Sequence, residues 1–164
     1  MALVVEDGTG LSTAESYISV ADADTYIAAY KGANTTWDDA TDATKEVAAR
    51  QATQYIDGVY NWKGEIYSSG QALDWPRNYV YNDRGLMETG VPTKLEQATV
   101  EMMFLIVTGT TINVNVDRGK QTKREKVDVI EVEYENGASQ QPSFPEVNRL
   151  LADLVISGGT VVRG

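Results

Sequence analysis

The segment Val100–Val107 constrains this chain more than any other. In it only Glu101 carries a charge. It sits at the end of a helical pattern that Pro92 opens at the favoured first-turn position and Gly109 follows, with Leu95, Ala98, Met102 and Leu105 on one stripe. A helix that is apolar nearly all round must be buried on more than one side. The helix expected over about 92–108 is therefore either the central helix of a bundle or one whose second face meets another subunit. Met103, Phe104 and Val107 are the residues expected on such an interface.

Further helices are expected around it. Ala21–Tyr30 has Ser19 as a plausible N-cap, Asp22 in the first turn and Gly32 at the exit, with Tyr26, Ile27 and Tyr30 on one face. Asp42–Asp57 is alanine-rich, with Ala48, Ala52, Tyr55, Ile56 and Val59 as its apolar stripe and Gly58 at the C′ position. A last helix starts at Pro145, carries Val147, Leu150, Leu151, Leu154 and Val155, and ends at Gly158-Gly159. Thr110–Val116 and Val127–Tyr134 read as two strands of an antiparallel hairpin, the second with a phase slip between Val129 and Ile130 suited to a bulge. The tip between them, 117–126, is charged. The resulting fold class is α+β, mainly α: a small bundle of about four helices with an antiparallel β-hairpin and extended terminal arms. One domain over 1–164 is expected, with 1–18 extended and 142–164 forming a C-terminal helix plus arm.

Residues 58–91 are long for a connection and rich in turn formers. Seven of the fourteen aromatics fall between Tyr55 and Tyr81. A segment of this kind is either functional or packed by its own side chains. Trp37, Trp62, Trp75, Pro76 and Arg77 are the expected loop anchors, with the last three holding the segment against the second and third long helices. Exposed aromatics could also stack bases, but only Lys63 and Arg77 lie near Trp62 and Trp75.

Composition removes several chemistries. The chain has no cysteine and no histidine, which excludes disulfides, thiolate chemistry, zinc sites built on Cys or His, and imidazole triads. No Gly-Lys-Ser/Thr phosphate loop and no Gly-x-Ser-x-Gly elbow occurs, and no carboxylate pair is singled out among the acids. Asp38, Asp39 and Asp42 could suggest a divalent-cation site, but fit a solvated helix start better. Asn34-Thr35-Thr36 matches a glycosylation acceptor by chance. No cofactor is expected. The N-terminus lacks a basic region and an apolar core, so no signal peptide is expected. No run approaches a membrane span, and the protein is expected to be soluble and intracellular at synthesis.

Charge is the remaining constraint. With 14 basic and 24 acidic residues the net charge is −10, and residues 1–60 contribute most of it. Nonspecific duplex binding by the whole molecule is not expected. The exception is the tip, where Arg118, Lys120, Lys123, Arg124 and Lys126 could touch DNA or an acidic partner, or could simply be solvated.

A series of short motifs runs in order over most of the chain: Val5-Glu-Asp-Gly-Thr-Gly10, the stretch 14–26, Trp37, Tyr55-Ile-Asp-Gly58, Trp62-Lys-Gly64, Gln71-Ala-Leu-Asp-Trp-Pro-Arg77, Asp83-Arg-Gly85, Val91-Pro92 and the ending Val162-Arg163-Gly164. By these the sequence resembles tailed-bacteriophage head–tail connector proteins, also called adaptor or head-completion proteins, a set often labelled DnaT-like single-stranded-DNA-binding. The resemblance implies a structural virion protein and no enzyme. It would be a ring, commonly of twelve copies, that docks on the portal, extends the DNA channel, receives the next neck or tail component and passes duplex DNA without binding it specifically. It would be assembled in the bacterial host cytoplasm and located in the virion neck. Val161, Val162 and Arg163 are then the expected docking residues of a tail dispensable for folding. Alternatives are a single-stranded nucleic-acid-binding module using 118–126 and the aromatic segment 55–81, an enzyme built on carboxylates or lysine, and another interaction protein of the neck.

Overall fold

Around helix α4, Thr93–Val107, the other helices pack, and the computed structural model describes the chain over residues 2–112, 124–127, 130–133 and 143–156. Six successive residues of α4, from Ala98 to Met103, are buried. α4 is thus the central helix of the bundle. It contacts α1 (Val20–Tyr30), α2 (Thr35–Asp38), α3 (Asp42–Val59) and α5 (Pro145–Leu151). The sole charge in its apolar half, Glu101, is only 5% exposed. It is neutralised by Lys31 at 2.8 Å and accepts the Tyr26 hydroxyl at 3.0 Å. A buried carboxylate survives where a cation and a donor both reach it.

The helix starts follow the capping chemistry. Ser19 Oγ accepts from Asp22 N and Thr41 Oγ1 from Thr44 N. Asn34 Oδ1 accepts from Trp37 N and starts the short helix α2. Pro92 is the N-cap of α4 rather than its first helical residue. Ala48, Ala49 and Ala52 of α3 are essentially fully buried, and their small side chains let α3 lie close to α4. Helix α3 runs through Gly58 to Val59, and Val59 is exposed, so the apolar stripe ends at Ile56.

Helix α5 stops at Leu151, earlier than its periodicity predicts. Leu154 is still buried, and Leu154 N and Val155 N still donate to Leu151 O, while Val155 also bridges Trp62. Lys63 N donates to Leu154 O at 2.9 Å and Ile156 N to Asn61 O at 2.8 Å. Extended pairing with a neighbouring segment stops the helix after this turn.

The segment before α1 is packed. Val5 bridges Ser16, and the buried Glu6 carboxylate accepts the N–H groups of Gly8, Gly10 and Leu11. Positive φ at Gly8 and Gly10 lets the turn close around that carboxylate.

By its contacts the chain divides into two units, 1–110 with 144–164, and 111–143. In the second, β3 (Arg124–Val127) pairs antiparallel with β4 (Ile130–Glu133). A hairpin is present, but its strands differ from those expected. The partner of the second strand is Arg124–Val127, which the sequence reading placed in the charged tip. Most of the expected strand at 110–116 lies outside the described residues. The mainly helical α+β class stands, with five helices among the described residues.

Candidate functional site

The segment between α3 and α4 holds the aromatic cluster, and a buried polar node fastens it. Asp57, in the last turn of α3, accepts the Tyr17 hydroxyl with both carboxylate oxygens, at 2.6 and 2.8 Å. It also accepts Asp74 N at 3.2 Å. The same Tyr17 hydroxyl accepts Trp75 N at 3.2 Å. Three distant pieces of chain thus meet at one phenol oxygen. Burial pushes the Asp57 carboxyl up to about 6, against the hydrogen bonds from Tyr17 and Asp74 that favour its charged form. Burial also pushes the Tyr17 phenol far above its ordinary value, with the Asp57 charge adding to the effect. Both Asp57 oxygens are engaged within the chain, so the node is a pin rather than a reactive carboxylate.

The anchors cluster around this node. Trp75 is fully buried and Trp62 nearly so; their rings meet edge to face at 5.9 Å. Pro76 follows Trp75 through a cis peptide bond. Arg77 spreads its guanidinium over three carbonyls: Nε to Lys63 O at 2.8 Å, and its terminal nitrogens to Asp74 O at 3.2 Å and Gly64 O at 3.0 Å. This fork crosses a short antiparallel ladder, β1 (Glu65–Ile66) against β2 (Arg77–Asn78). Gly64 has φ +72°, and a Cβ there would lie 2.2 Å from Asn78 O. Trp37 is an anchor elsewhere: on α2 it packs near Phe104, donates Nε1 to Asp24 at 2.8 Å, and lies under Lys45.

Beyond the anchors the segment turns an apolar face to solvent. Val80 is fully buried, while Tyr79 and Tyr81 on either side are exposed. Met87 bridges Tyr81 across the turn, and Met87 and Leu86 are also exposed. Tyr79 has φ +61°, the one non-glycine residue in that region among those described. Holding it there costs roughly 1–2 kcal/mol. At the foot of this turn is a cleft of about 370 Å³ lined by Asp83, Glu88, Lys94 and Asp153 among others.

The basic residues show what this body can hold. Lys31, Lys45, Arg50, Lys94 and Arg149 pair with carboxylates. Lys63 Nζ donates to Asp153 O, and Arg77 to its three carbonyls. Among the eight basic residues whose side chains are described, Arg84 alone makes no side-chain bond. In the hairpin unit, the register sets Arg124 opposite Glu133 and Lys126 opposite Glu131. Arg124 and Lys126 are both strand residues, where the sequence predicts a loop. Arg118, Lys120 and Lys123 lie outside the described residues, as do Val161, Val162 and Arg163.

The expected interface on α4 needs one correction. Met103 is fully buried inside the chain, so it belongs to the core. Phe104 and Val107 are only partly covered. Among the described residues no group of three acids is placed to hold a metal ion, Asp38, Asp39 and Asp42 included. Sequence reasoning missed the Tyr17–Asp57 node and the Glu6 turn. Both lie within quoted motifs, but a lone Tyr or Asp gives no sign of a partner 40 residues away.

A family model described as "Putative DnaT-like ssDNA binding protein" matches residues 1–164, and the chain belongs to that family. No curated protein and no solved structure gives a significant match.

Proposed function

We propose that this member of the family is a structural protein of a tailed-phage virion: a ring-forming head–tail adaptor that docks on the portal, extends the DNA channel and joins the capsid to the neck or tail. The motif resemblance supports this reading, and so does one structural observation. The cations of the helical body are nearly all engaged within the chain, on a molecule of net charge −10. Such a body offers phosphate no set of free cations and repels it at range. That suits a channel through which duplex DNA slides without sticking. The family description names binding and no catalysis.

A second reading takes the family description at its word: a single-stranded nucleic-acid-binding module. Its phosphate contacts would come mainly from 118–126, because all the body's described cations but Arg84 are engaged. Light scattering of the full chain, alone and with the cognate portal, separates the readings. A ring-sized mass, free or on the portal, is expected. A monomer that ignores the portal but binds a single-stranded oligonucleotide, with an affinity that falls steeply with salt, would overturn the adaptor reading.

A further inference from the structure

Four of the large exposed hydrophobic side chains, Tyr79, Tyr81, Leu86 and Met87, fall within nine residues of one turn, each 52% exposed or more. The Tyr81–Met87 bridge and the inward-facing Val80 place Tyr81 and Met87 together on its outer side. Clusters of this kind on a protein surface mark contact sites. Tyr79 is held in a strained backbone conformation although its ring is 65% exposed. Arg84, at the tip of the same turn, is the unengaged cation described above.

What covers such a face follows from charge. In the cleft at its foot the acids Asp83, Glu88 and Asp153 outnumber the cations Arg84 and Lys94, and Lys94 is already paired with Asp153, which disfavours a polyanion such as nucleic acid. A protein surface bearing free carboxylates fits better. The chain carries one on the same unit: Asp39 and Asp42, between α2 and the first turn of α3, have no cationic partner among the described residues. We infer that the 79–87 turn is a head-to-tail docking surface for a second copy of this chain, with Arg84 meeting the Asp39/Asp42 corner of its neighbour and Tyr81 and Met87 covered beside it. The inference rests on the ring reading and names its contact. A heterologous contact of this type closes into a ring when its rotation permits, and the charge match sets the register of the apolar contact.

Charge reversal tests it. Arg84→Glu and the double variant Asp39→Lys with Asp42→Lys are compared with the unaltered chain by light scattering over a concentration series. Melting curves verify folding, and Met87→Ser serves as a second, uncharged probe of the face. The unaltered chain is expected to gain mass with concentration. Each variant is expected to associate at least tenfold more weakly. An equimolar mixture of the two charge variants is expected to recover association. In the mixture the reversed charge at position 84 of one variant meets the reversed charges at positions 39 and 42 of the other, and the native Arg84 of the second meets the native Asp39 and Asp42 of the first. A monomeric unaltered chain, undiminished association of Arg84→Glu or Met87→Ser, or a mixture that fails to recover would each overturn the proposal. So would oligonucleotide binding that depends on Arg84. If Arg84→Glu still forms rings on the portal, this contact falls and the adaptor reading stands. If the mixture recovers but no ring forms on the portal, the adaptor reading falls and the contact stands.

Discussion

Replacing Tyr17 by Phe removes one oxygen and should loosen the whole segment 60–81. The hydroxyl donates to Asp57 at 2.6 and 2.8 Å and accepts from Trp75 N at 3.2 Å. Loss of a hydrogen bond to a charged carboxylate costs about 1.5–3 kcal/mol, and a buried N–H left without an acceptor costs about 1–3 kcal/mol. The two share one atom and are not strictly additive. A total near 3–4 kcal/mol is expected at pH 8, or a fall in Tm of about 10 °C for a chain of this size.

The pH dependence identifies the mechanism. Burial, opposed by the Tyr17 and Asp74 hydrogen bonds, holds the Asp57 carboxyl at about 6, above the ordinary 3.8. The folded state therefore binds this proton more tightly than the unfolded state does. The stability that Asp57 contributes is fully present below 3.8 and is lost as pH rises toward 6, a change of about 3 kcal/mol. Tyr17→Phe removes a bond that favours the charged form, so the carboxyl titrates higher still. The destabilisation should be full at pH 8 and shrink toward pH 5, where the carboxyl is protonated in both proteins. Urea unfolding at pH 5 and pH 8 measures it. A loss under about 1 kcal/mol at pH 8, or an equal loss at both values, would refute the assignment of Tyr17 as the pin of this segment.

Three further outcomes follow from the packing. Gly64→Ala combines a positive φ with a Cβ 2.2 Å from Asn78 O; it should lower stability by about 2 kcal/mol or more in thermal melts. Met103→Ala should cost about 2–5 kcal/mol in urea unfolding as a core cavity, whereas Val107→Ala, half-covered at the end of α4, should cost under about 1 kcal/mol. Arg77→Ala frees three carbonyls; a loss of about 2 kcal/mol with faster amide exchange confined to 60–81 is expected, and unchanged exchange there would remove Arg77 as the clasp.

The family match spans the whole chain, and the structure gives several of the short motifs behind the sequence resemblance a physical role. Val5-Glu-Asp-Gly-Thr-Gly10 is a turn closed on its own glutamate. Trp75-Pro-Arg77 is the meeting point of the node, the indole pair and the guanidinium fork. These roles were legible only as spacing, because each partner is remote: Asp57 for Tyr17, Lys63 and Gly64 for Arg77.

Local chemistry determined where the helices begin, since a cap such as Ser19 or Thr41 acts within three residues of itself. The apolar run after Pro92 likewise required α4 to be enclosed. What it could not decide was by what, because a hydrophobic stripe records the need for cover and not its source. Tertiary structure supplied that cover from α1, α2, α3 and α5, and so moved Met103 from an expected interface to the core. It also ended α5 early, where pairing of Val155 with Trp62 stops the helix, and placed Arg124 and Lys126 in a strand where the sequence predicts a loop. Strand register and cross-chain pairing depend on contacts between residues far apart, and periodicity along the chain carries no record of them.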